Sequence, residues 1–455
     1  MELRGLDLRV ERLKPSLQPC ELFNALVGRS DWVYLLESVS GPRKLAEFSF
    51  LGWDPLAKIT ASDGVVEVWG RDSGRAVLQE ANPLEVLREV VLGAKIVDTR
   101  FRFLGGAVGY ISFESVRFWE DITFRDKPSG PFPEMQFGVY DRGVIFDHRM
   151  NEAYIFGTDP DGLVEELKTA CRDAPQGEPL RGKAVRPITV REEFESMVLR
   201  AKEYIAAGEA IQVVLSRRID LDVEGSYVEF YRRLREVNPS PYMYCLRYGD
   251  RWIVGSSPEM LVRVEGSRVE TFPIAGTRPL KGDPELDEKL KAELLSDEKD
   301  LAEHVMLVDL ARNDLGRICR FGTVRVESLM EVNRYSHVQH LVSHVSGELK
   351  LGLDSIDALE ATFPAGTVSG APKLRAIEII DELEPERRGP YAGCVGYLSF
   401  NGSADFAITI RTLLGHSERE ASIQVGAGIV ADSTPQGEWF ETEHKAAALL
   451  AALRR

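Results

Sequence analysis

The chain has 455 residues, with 72 acidic against 56 basic side chains and a formal net charge of −16, so it lacks the basic surface that nucleic-acid binding requires. Its composition, 44% hydrophobic and 28% charged, is typical of a globular protein rather than a disordered one. No run approaches the roughly 18 apolar residues of a membrane span. These properties argue against nucleic-acid and membrane partners, and the length predicts at least two domains.

Five scattered cysteines, odd in number and never in a CxxC pair, are typical of a reducing compartment. The N-terminal residues 1–13 alternate charges with leucine and valine and lack the apolar core of a signal peptide. We therefore expect a soluble, cytoplasmic protein.

Short alternating runs in the N-terminal part, such as 65–69 and 138–146, predict strands. Residues 172–187 carry three prolines, two glycines and mixed charges, and we interpret them as a linker between region 1–171 and region 188–455. Past this segment, 191–207 predicts an amphipathic helix and 211–216 a strand. Because the elements form no regular βαβ series, the pattern favours an α+β (mixed α/β) fold.

Two acidic groups on predicted helices suggest a cation site. Asp300, Glu303 and His304 have helical i, i+3, i+4 spacing, and like charges so close cost a few tenths of a kcal/mol on an isolated helix. Near the C-terminus, Glu438 and Glu441 share one face of another predicted helix. If the helices meet, four carboxylates without cysteine favour Mg²⁺, which takes one or two of them directly.

Two further patterns have alternative interpretations. His337, His340 and His344 have a spacing that could bind zinc if the segment were helical. Because the segment is rich in valine, a strand fits it at least as well, and the three histidines then do not share one face cleanly. Packing or a single catalytic histidine is therefore favoured. The segment 426–428, Gly-Ala-Gly, weakly resembles a dinucleotide fingerprint. Residues 432–437 present no helix directly after it, so a flexible glycine turn where backbone approaches another group is favoured.

Six ordered motifs occur together: PIAGTRP, DEKDLAEHVMLVDLARNDLGR, HVQHLVSHV, FPAGTVSGAPK, VGAGIVADS and ETEHKAAALL. In this combination the chain resembles the chorismate-utilising enzymes, within them the anthranilate synthase component I group. The resemblance is dense from about residue 190 onward and reaches the N-terminal region at 35–38 and 48–55. It implies a two-domain layered sandwich of large, mainly antiparallel sheets flanked by helices. It also implies conversion of chorismate and ammonia to anthranilate and pyruvate, the first committed step of tryptophan biosynthesis.

The resemblance also assigns residues to the binding of metal and substrate. It implies that Glu303 and Glu441 bind Mg²⁺, while Asp300 and Glu438 hold its waters. The implied substrate-binding residues are Gly276, Thr277, Tyr397, Arg411, Gly426, Ala427, Gly428 and Lys445. Arginine grips carboxylates in a bidentate manner, and glycines let backbone amides approach, which suits a small dianion such as chorismate.

The implied catalytic residues are His340, Glu259 and Thr367. Ammonia adds at C2 of the ring while the C4 hydroxyl leaves, and Glu259 matches the acid that protonates this hydroxyl. Such a role needs a raised pKa, which burial or nearby negative charge supplies. His340 matches the residue assigned to the second step, in which a ring proton is removed and pyruvate is expelled.

Two positions distinguish this activity from its relatives. Water-adding isochorismate and salicylate synthases carry a lysine base where this chain has Gln212, and aminodeoxychorismate synthases commonly carry a lysine nucleophile at the position of Ala275. Amination by free ammonia is therefore expected. The alternatives are aminodeoxychorismate synthase component I, a chorismate-binding regulatory module without catalysis, and a nucleotide-dependent oxidoreductase.

The resemblance further implies an inhibitor and a partner. Ser38, Pro241, Tyr242 and Met243 match elements that bind tryptophan in feedback-inhibited relatives, although Glu47 stands where arginine is usual. Pro, Tyr, Met and Ser supply an apolar slot with polar groups. The chain has no recognisable glutaminase motif. A separate glutamine amidotransferase subunit is therefore implied, in a heterotetramer of two large and two small subunits.

Overall fold

The computed structural model describes residues 6–13, 18–38, 47–94, 96, 100–187, 189–335 and 338–454, with the backbone alone at 184–187 and 454. His337 therefore lies outside the described residues. None of the described helices is both long and apolar enough to cross a membrane. All five cysteines are described, and each is a free thiol.

The strands of the first half of the chain are β1 (Arg9–Leu13), β2 (Trp32–Glu37), β3 (Phe48–Trp53), β4 (Ala57–Ser62), β5 (Val65–Gly70), β6 (Gly74–Gln79), β7 (Gly106–Ile111), β8 (Met135–Tyr140), β9 (Gly143–Asp147), β10 (Glu152–Gly157), β11 (Arg181–Pro187) and β12 (Gln212–Glu224). Those of the second half are β13 (Tyr242–Tyr248), β14 (Arg251–Ser257), β15 (Met260–Glu265), β16 (Arg268–Thr271), β17 (Ile274–Pro279), β18 (Arg325–Arg334), β19 (Val338–Glu348), β20 (Gly370–Ala371), β21 (Cys394–Ser399), β22 (Ala404–Ile408), β23 (Thr412–Gly415) and β24 (Glu420–Ile429).

The helices are α1 (Pro19–Val27), α2 (Pro83–Leu92), α3 (Pro160–Arg172), α4 (Arg191–Ala206), α5 (Tyr227–Val237), α6 (Pro284–Ser296), α7 (Glu298–Ile318), α8 (Ser355–Thr362), α9 (Gly366–Ser369), α10 (Lys373–Leu383) and α11 (Pro435–Arg454), with a 3₁₀ helix at Phe113–Phe118. Proline in the first turn and an acidic cap start several of them, as Asp159 does for α3.

The named strands form two antiparallel sheets. Sheet A has the order β1-β10-β9-β3-β2-β13-β14-β23-β24-β12-β11, with β20 also paired to β12. Sheet B has the order β17-β19-β16-β15-β22-β21-β7-β8-β4-β5-β6, with β18 also paired to β19. The predicted mixed fold with large antiparallel sheets is confirmed.

Three layers of hydrophobic core hold the sandwich together. An aromatic core lies between the sheets, where Tyr34 of sheet A packs edge-on against Tyr140 of sheet B with ring centroids 4.6 Å apart. A second core lies between sheet A and helices α1, α3, α5 and α11. A third joins sheet B with helices including α2, α7, α8 and α10. The sheets thus face each other, and the helices cover their outer sides.

The segment predicted as a linker contains β11, a strand paired with β12 at the edge of sheet A. Strands from both sides of this segment share each sheet, since β2 pairs with β13 and β7 pairs with β21. The boundary at 172–187 therefore does not separate the two sheets. Two parts of the chain far apart in sequence build one sandwich.

Other local predictions have mixed outcomes. The helix over 191–207 is present as α4, and the strand over 65–69 as β5. The single strand predicted over 138–146 is two strands, β8 and β9, because the chain bends at Asp141 and passes from sheet B to sheet A. The histidine segment is strand β19, and the glycines of 426–428 lie inside β24 rather than in a turn.

Candidate functional site

A cavity of about 740 Å³ opens where the ends of the two sheets meet α7, α9 and α11. It brings together most of the predicted site residues. These are Glu259, Gly276, Thr277, Asp300, Glu303, His340, Thr367, Arg411, Gly426, Gly428, Glu438, Glu441 and Lys445. Residues separated by up to 186 positions thus line one space, which is the candidate active site.

One face of β24 forms a wall of this cavity. Side chains alternate along a strand, so Gly426 and Gly428 face the cavity, while the side chain of Ala427 lies in the hydrophobic core on the opposite face. A Cβ atom at Gly428 would lie 2.6 Å from Nε2 of Gln212. A larger residue at this position would displace the amide of Gln212, and Ala427 contributes no side chain to the site.

The carboxylates of α7 and α11 meet in the cavity. Burial raises the pKa of Glu303, and the charge of Glu441 raises it further. The hydrogen bond that Gln212 Nε2 donates to Glu303 Oε1 at 2.7 Å acts in the opposite direction. Burial also raises the pKa of Glu438, again with a contribution from Glu441. Ionised together, these acids repel one another across the cavity, which favours a cation between them.

Asp300 has an arginine partner. Its Oδ2 accepts a hydrogen bond at 2.9 Å from a guanidinium nitrogen of Arg278, and a second nitrogen of that arginine bonds Asp297 at 2.9 Å. Asp300 also lies next to Gly276, where a Cβ would be 3.3 Å from its Cγ. Its carboxylate therefore already has a cationic partner, a pairing that sequence spacing does not predict.

No group of three or more histidine, cysteine or acidic side chains in the described part of the chain has metal-binding geometry. The donor set nevertheless fits Mg²⁺, which takes one or two carboxylates and keeps several waters. Glu303, Glu438 and Glu441 offer oxygen ligands in one cavity, and the buried Oε1 of Gln212 has no hydrogen-bond partner among the described residues.

Glu259 is suited to act as an acid. It follows β14 and is buried, which raises its pKa to about 8, although the Thr367 hydroxyl, the Ile274 backbone and the charge of Lys445 lower it. A carboxyl group with this pKa is mostly protonated at neutral pH. It therefore holds a proton inside the cavity.

His340 is suited to act as a base. It lies on β19 opposite Thr277 of β17, and its Nδ1 is 3.1 Å from the carbonyl oxygen of Gly276 and 2.9 Å from the Thr277 hydroxyl. A carbonyl only accepts hydrogen bonds, so Nδ1 carries the ring proton and Nε2 has a free lone pair. Burial and the nearby charge of Arg411 lower the pKa of His340 to about 4, which keeps the ring neutral.

Arg411 and Lys445 are two of the cations that line the cavity. The side chain of Arg411 has no hydrogen-bond or salt-bridge partner among the described residues, and its backbone has φ of 53°, a strained value for a non-glycine residue. Lys445 Nζ donates to the Gly426 carbonyl at 2.9 Å and pairs with Glu441 at 2.7 Å. Arg411 is thus free to grip a carboxylate.

Tyr397 is not part of this cavity, which corrects its assignment to the substrate. Its ring lies between the sheets, 5.4 Å from Phe50 and 5.0 Å from Phe103, and it lines a different cavity. Tyr391 lines the candidate active site instead, and a Cβ at Gly426 would lie 2.7 Å from its hydroxyl. Sequence reasoning missed Tyr391, since two tyrosines six residues apart in one glycine-rich segment look equivalent.

A second predicted group does converge. Ser38, Pro241, Tyr242 and Met243 line a cavity of about 40 Å³ between the sheets, together with Tyr397. Three polar groups form its buried network. The hydroxyl of Tyr242 bonds Asp405 at 3.0 Å, and Arg263 bonds the same carboxylate at 2.8 Å and 2.7 Å.

The two positions that separate related activities both face the candidate active site. Gln212 opens β12 and bonds Glu303, and Ala275 of β17 is buried at the cavity wall. Neither side chain is a nucleophile or a base. A small molecule bound here meets an amide and a methyl group at these positions.

Comparison with known proteins places this site in context. The sequence profile described as chorismate binding enzyme matches residues 33–451. Anthranilate synthase component 1 of Methanothermobacter thermautotrophicus is 47% identical over 436 residues, 96% of this chain and 92% of the relative. The structure of anthranilate synthase component I from Streptococcus pneumoniae TIGR4 has a TM-score of 0.79 and 39% identity, over 90% of this chain and 93% of that one. The menaquinone-specific isochorismate synthase from Escherichia coli, at 20% identity, shares the fold with a TM-score of 0.74 over 100% and 96% of the chains.

Proposed function

Because this chain belongs to the chorismate binding enzyme family, we propose that it is component I of an anthranilate synthase and converts chorismate and ammonia to anthranilate and pyruvate. The observation that carries the proposal is the pairing of a protonated acid, Glu259, with a neutral base, His340, in one cavity. The two chemical steps need these two groups.

In the first step, ammonia attacks C2 of the ring and the C4 oxygen leaves. Glu259 transfers its proton to that oxygen, which departs as water, and Thr367 steadies the carboxyl group. In the second step, Nε2 of His340 takes the proton from C2, and the ether bond between the ring and the enolpyruvyl group breaks, which makes the ring aromatic. The departing enolate takes up a proton from solvent and becomes pyruvate. Arg411 and the backbone at 426–428 hold the substrate carboxylates.

Magnesium is the cofactor that fits this donor set. Glu303 and Glu441 would hold the ion, with Glu438 bonding its waters, and Asp300 would contribute after release from Arg278. When bound, Mg²⁺ supplies an electrophile that orients the ring carboxylate and draws electron density from it. The raised pKa values of Glu303 and Glu438 support this proposal.

Aminodeoxychorismate synthase component I is the second candidate, because it shares the amination step. Its distinguishing lysine is absent, since Ala275 stands at the cavity wall. The presence of His340 as a base also favours completion of the reaction to anthranilate. Analysis of the product separates the two candidates, because only anthranilate is aromatic and accompanied by pyruvate.

Purified protein incubated with chorismate, Mg²⁺ and an ammonium salt should form fluorescent anthranilate and equimolar pyruvate. Removal of the metal with EDTA should abolish the reaction, and added Mg²⁺ should restore it. Accumulation of a non-aromatic amino diene without pyruvate would instead identify the second candidate. Turnover of chorismate to neither product would refute both proposals.

Ammonia has to come from a partner, and we assign this role to a glutamine amidotransferase subunit, in a heterotetramer of two large and two small subunits. The word component in the names of the relatives supports a multi-subunit enzyme. Of the five free cysteines, Cys20, Cys245, Cys319 and Cys394 are buried, and burial raises the pKa of all four, which makes each a poor glutaminase nucleophile. Free thiols also support a cytoplasmic location.

Tryptophan is the proposed feedback inhibitor, bound in the small cavity beside Ser38. The apolar walls there suit an indole ring, and the Arg263–Asp405 pair offers both charges to an amino acid's charged groups. The present volume of about 40 Å³ holds water but no indole, so binding requires the sheets to separate locally. Strand β22 lines the small cavity and continues directly into Arg411 of the candidate active site, so its movement would transmit inhibition.

Replacing Ser38 with phenylalanine should fill the rim of the small cavity and raise the inhibition constant for tryptophan about tenfold or more. Anthranilate formation at increasing tryptophan concentrations measures the effect, with each variant's uninhibited rate as its reference. Ser73→Phe in the exposed β5–β6 turn is the control and should keep the original constant. Equal constants for Ser38→Phe and the unmodified protein would remove this cavity from consideration.

A further inference from the structure

A second polar cavity, of about 300 Å³, adjoins the candidate active site. The two cavities lie along the same face of β24. Ser422 lines the second cavity, Gln424 lines both, and Gly426 and Gly428 line the active site. Because every second residue of a strand points the same way, these four positions form one continuous wall. Gln424 therefore lies at the boundary between the two spaces.

The second cavity contains guanidinium groups without acidic partners. Arg387 has no side-chain partner among the described residues, and its Nε is shielded from solvent. Arg251 bonds only a carbonyl oxygen, that of Pro131, at 2.8 Å. A shielded guanidinium donor without a partner carries a desolvation cost, which an anion would offset.

Two of the three acids of this cavity are already engaged. Glu114 accepts the backbone amides of Arg388 at 2.6 Å and Gly389 at 3.1 Å, and burial raises its pKa to about 7. Glu134 is paired with Arg117 at 2.7 Å. Asp63, the third acid, lies in the turn after β4 and is exposed to solvent. Glu114 and Glu134 are therefore not available to neutralise Arg251 and Arg387, and Asp63 forms no salt bridge with either arginine among the described residues.

The remaining titratable groups leave this excess positive charge in place. Arg218 shares its charge with Asp220 and Glu386, at 2.8 and 2.9 Å, and Arg388 is saturated by Glu384 and backbone carbonyls. Burial and the charge of Arg218 lower the pKa of His416 to about 4, so this ring adds no charge. The cavity thus presents two uncompensated guanidinium groups beside the active site.

We propose that this second cavity binds a carboxylate anion leaving the active site past Gln424. The inference rests on the proposed function, whose two products, pyruvate and anthranilate, are both monocarboxylates. Arg387 and Arg251 donate to the carboxylate, and Gln424 separates the leaving product from the next substrate. The cavity is therefore a product site, distinct from the one in which Arg411 holds chorismate.

The test measures binding of pyruvate and of anthranilate, each titrated alone, by saturation-transfer NMR. At least one of them should bind the unmodified protein, and Arg387→Ala should weaken that binding about tenfold or more, since charge-assisted hydrogen bonds are lost. Arg251→Ala should weaken it as well and decides the outcome if Arg387→Ala fails to fold. Arg125→Ala, an exposed arginine paired with Glu382 outside the cavity, is the control and should leave binding unchanged.

Kinetics give a second readout. A carboxylate in the second cavity should inhibit non-competitively with chorismate, and Arg387→Ala should relieve the inhibition. The proposal would be overturned if neither carboxylate binds, or if all variants bind with equal affinity. Purely competitive inhibition that persists in Arg387→Ala would also overturn it. Anthranilate formation by the same samples separates the two claims. Carboxylate binding that depends on Arg387 in a protein that makes no anthranilate would refute the proposed function alone.

Discussion

Replacing His340 with glutamine is expected to lower anthranilate formation about 10²–10⁴-fold, the usual effect of losing a general base. Glutamine retains a hydrogen bond to the Gly276 carbonyl but has no lone pair of comparable basicity at the position of Nε2. The loss should fall on kcat, while KM for chorismate stays within a few-fold. Steady-state kinetics with saturating ammonia measure both constants.

The second expectation for His340→Gln concerns the intermediate. Amination depends on Glu259 and not on His340, so the variant should still consume chorismate and release the amino diene without pyruvate. Chromatography with mass detection identifies this compound. His344→Gln is the matched control on the same strand, because His344 stacks on Phe272 and bonds Glu270 outside the cavity. Equal loss of activity in both variants would indicate a structural role for His340.

Much of the site could be predicted because its residues lie on regular elements. Helical spacing and the resemblance predict Glu303 as a site residue, and the C-terminal helix with the same resemblance predicts Glu441. Both residues line one cavity. The choice of His340 follows from the resemblance, and its valine-rich segment is strand β19. Local periodicity carries this information, since each residue's face is set by its immediate neighbours.

Contacts between distant segments could not be predicted in the same way. The pairing of Asp300 with Arg278 depends on how α7 packs against β17. The choice of Tyr391 over Tyr397 depends on the loop before β21, which brings the first ring to Gly426 and leaves the second between the sheets. The sharing of both sheets by the two parts of the chain likewise depends on pairings such as β2 with β13. Periodicity carries no information about these partners.

Glu259 gives the other large effect, and its pH dependence has a definite sign. A general acid works only when protonated, so activity that depends on it should fall as the pH rises through about 8. Glu259→Gln cannot donate a proton to the leaving oxygen, and we expect a loss of about 10²–10⁴-fold in kcat together with disappearance of this alkaline limb. Rates have to be referred to the concentration of unprotonated ammonia, which itself increases with pH.

Stability provides the matching control for this variant. The folded state holds the proton of Glu259 up to about pH 8, whereas the unfolded chain releases it near the ordinary value of 4.5. The stability due to this group is therefore complete below pH 4.5 and is lost as the pH rises toward 8. Melting temperatures should accordingly decline less between pH 5 and pH 9 for Glu259→Gln than for the unmodified protein.

Glu224→Gln, at the exposed end of β12, should follow the unmodified protein in both measurements. An alkaline limb that persists in Glu259→Gln would assign the acid to another group.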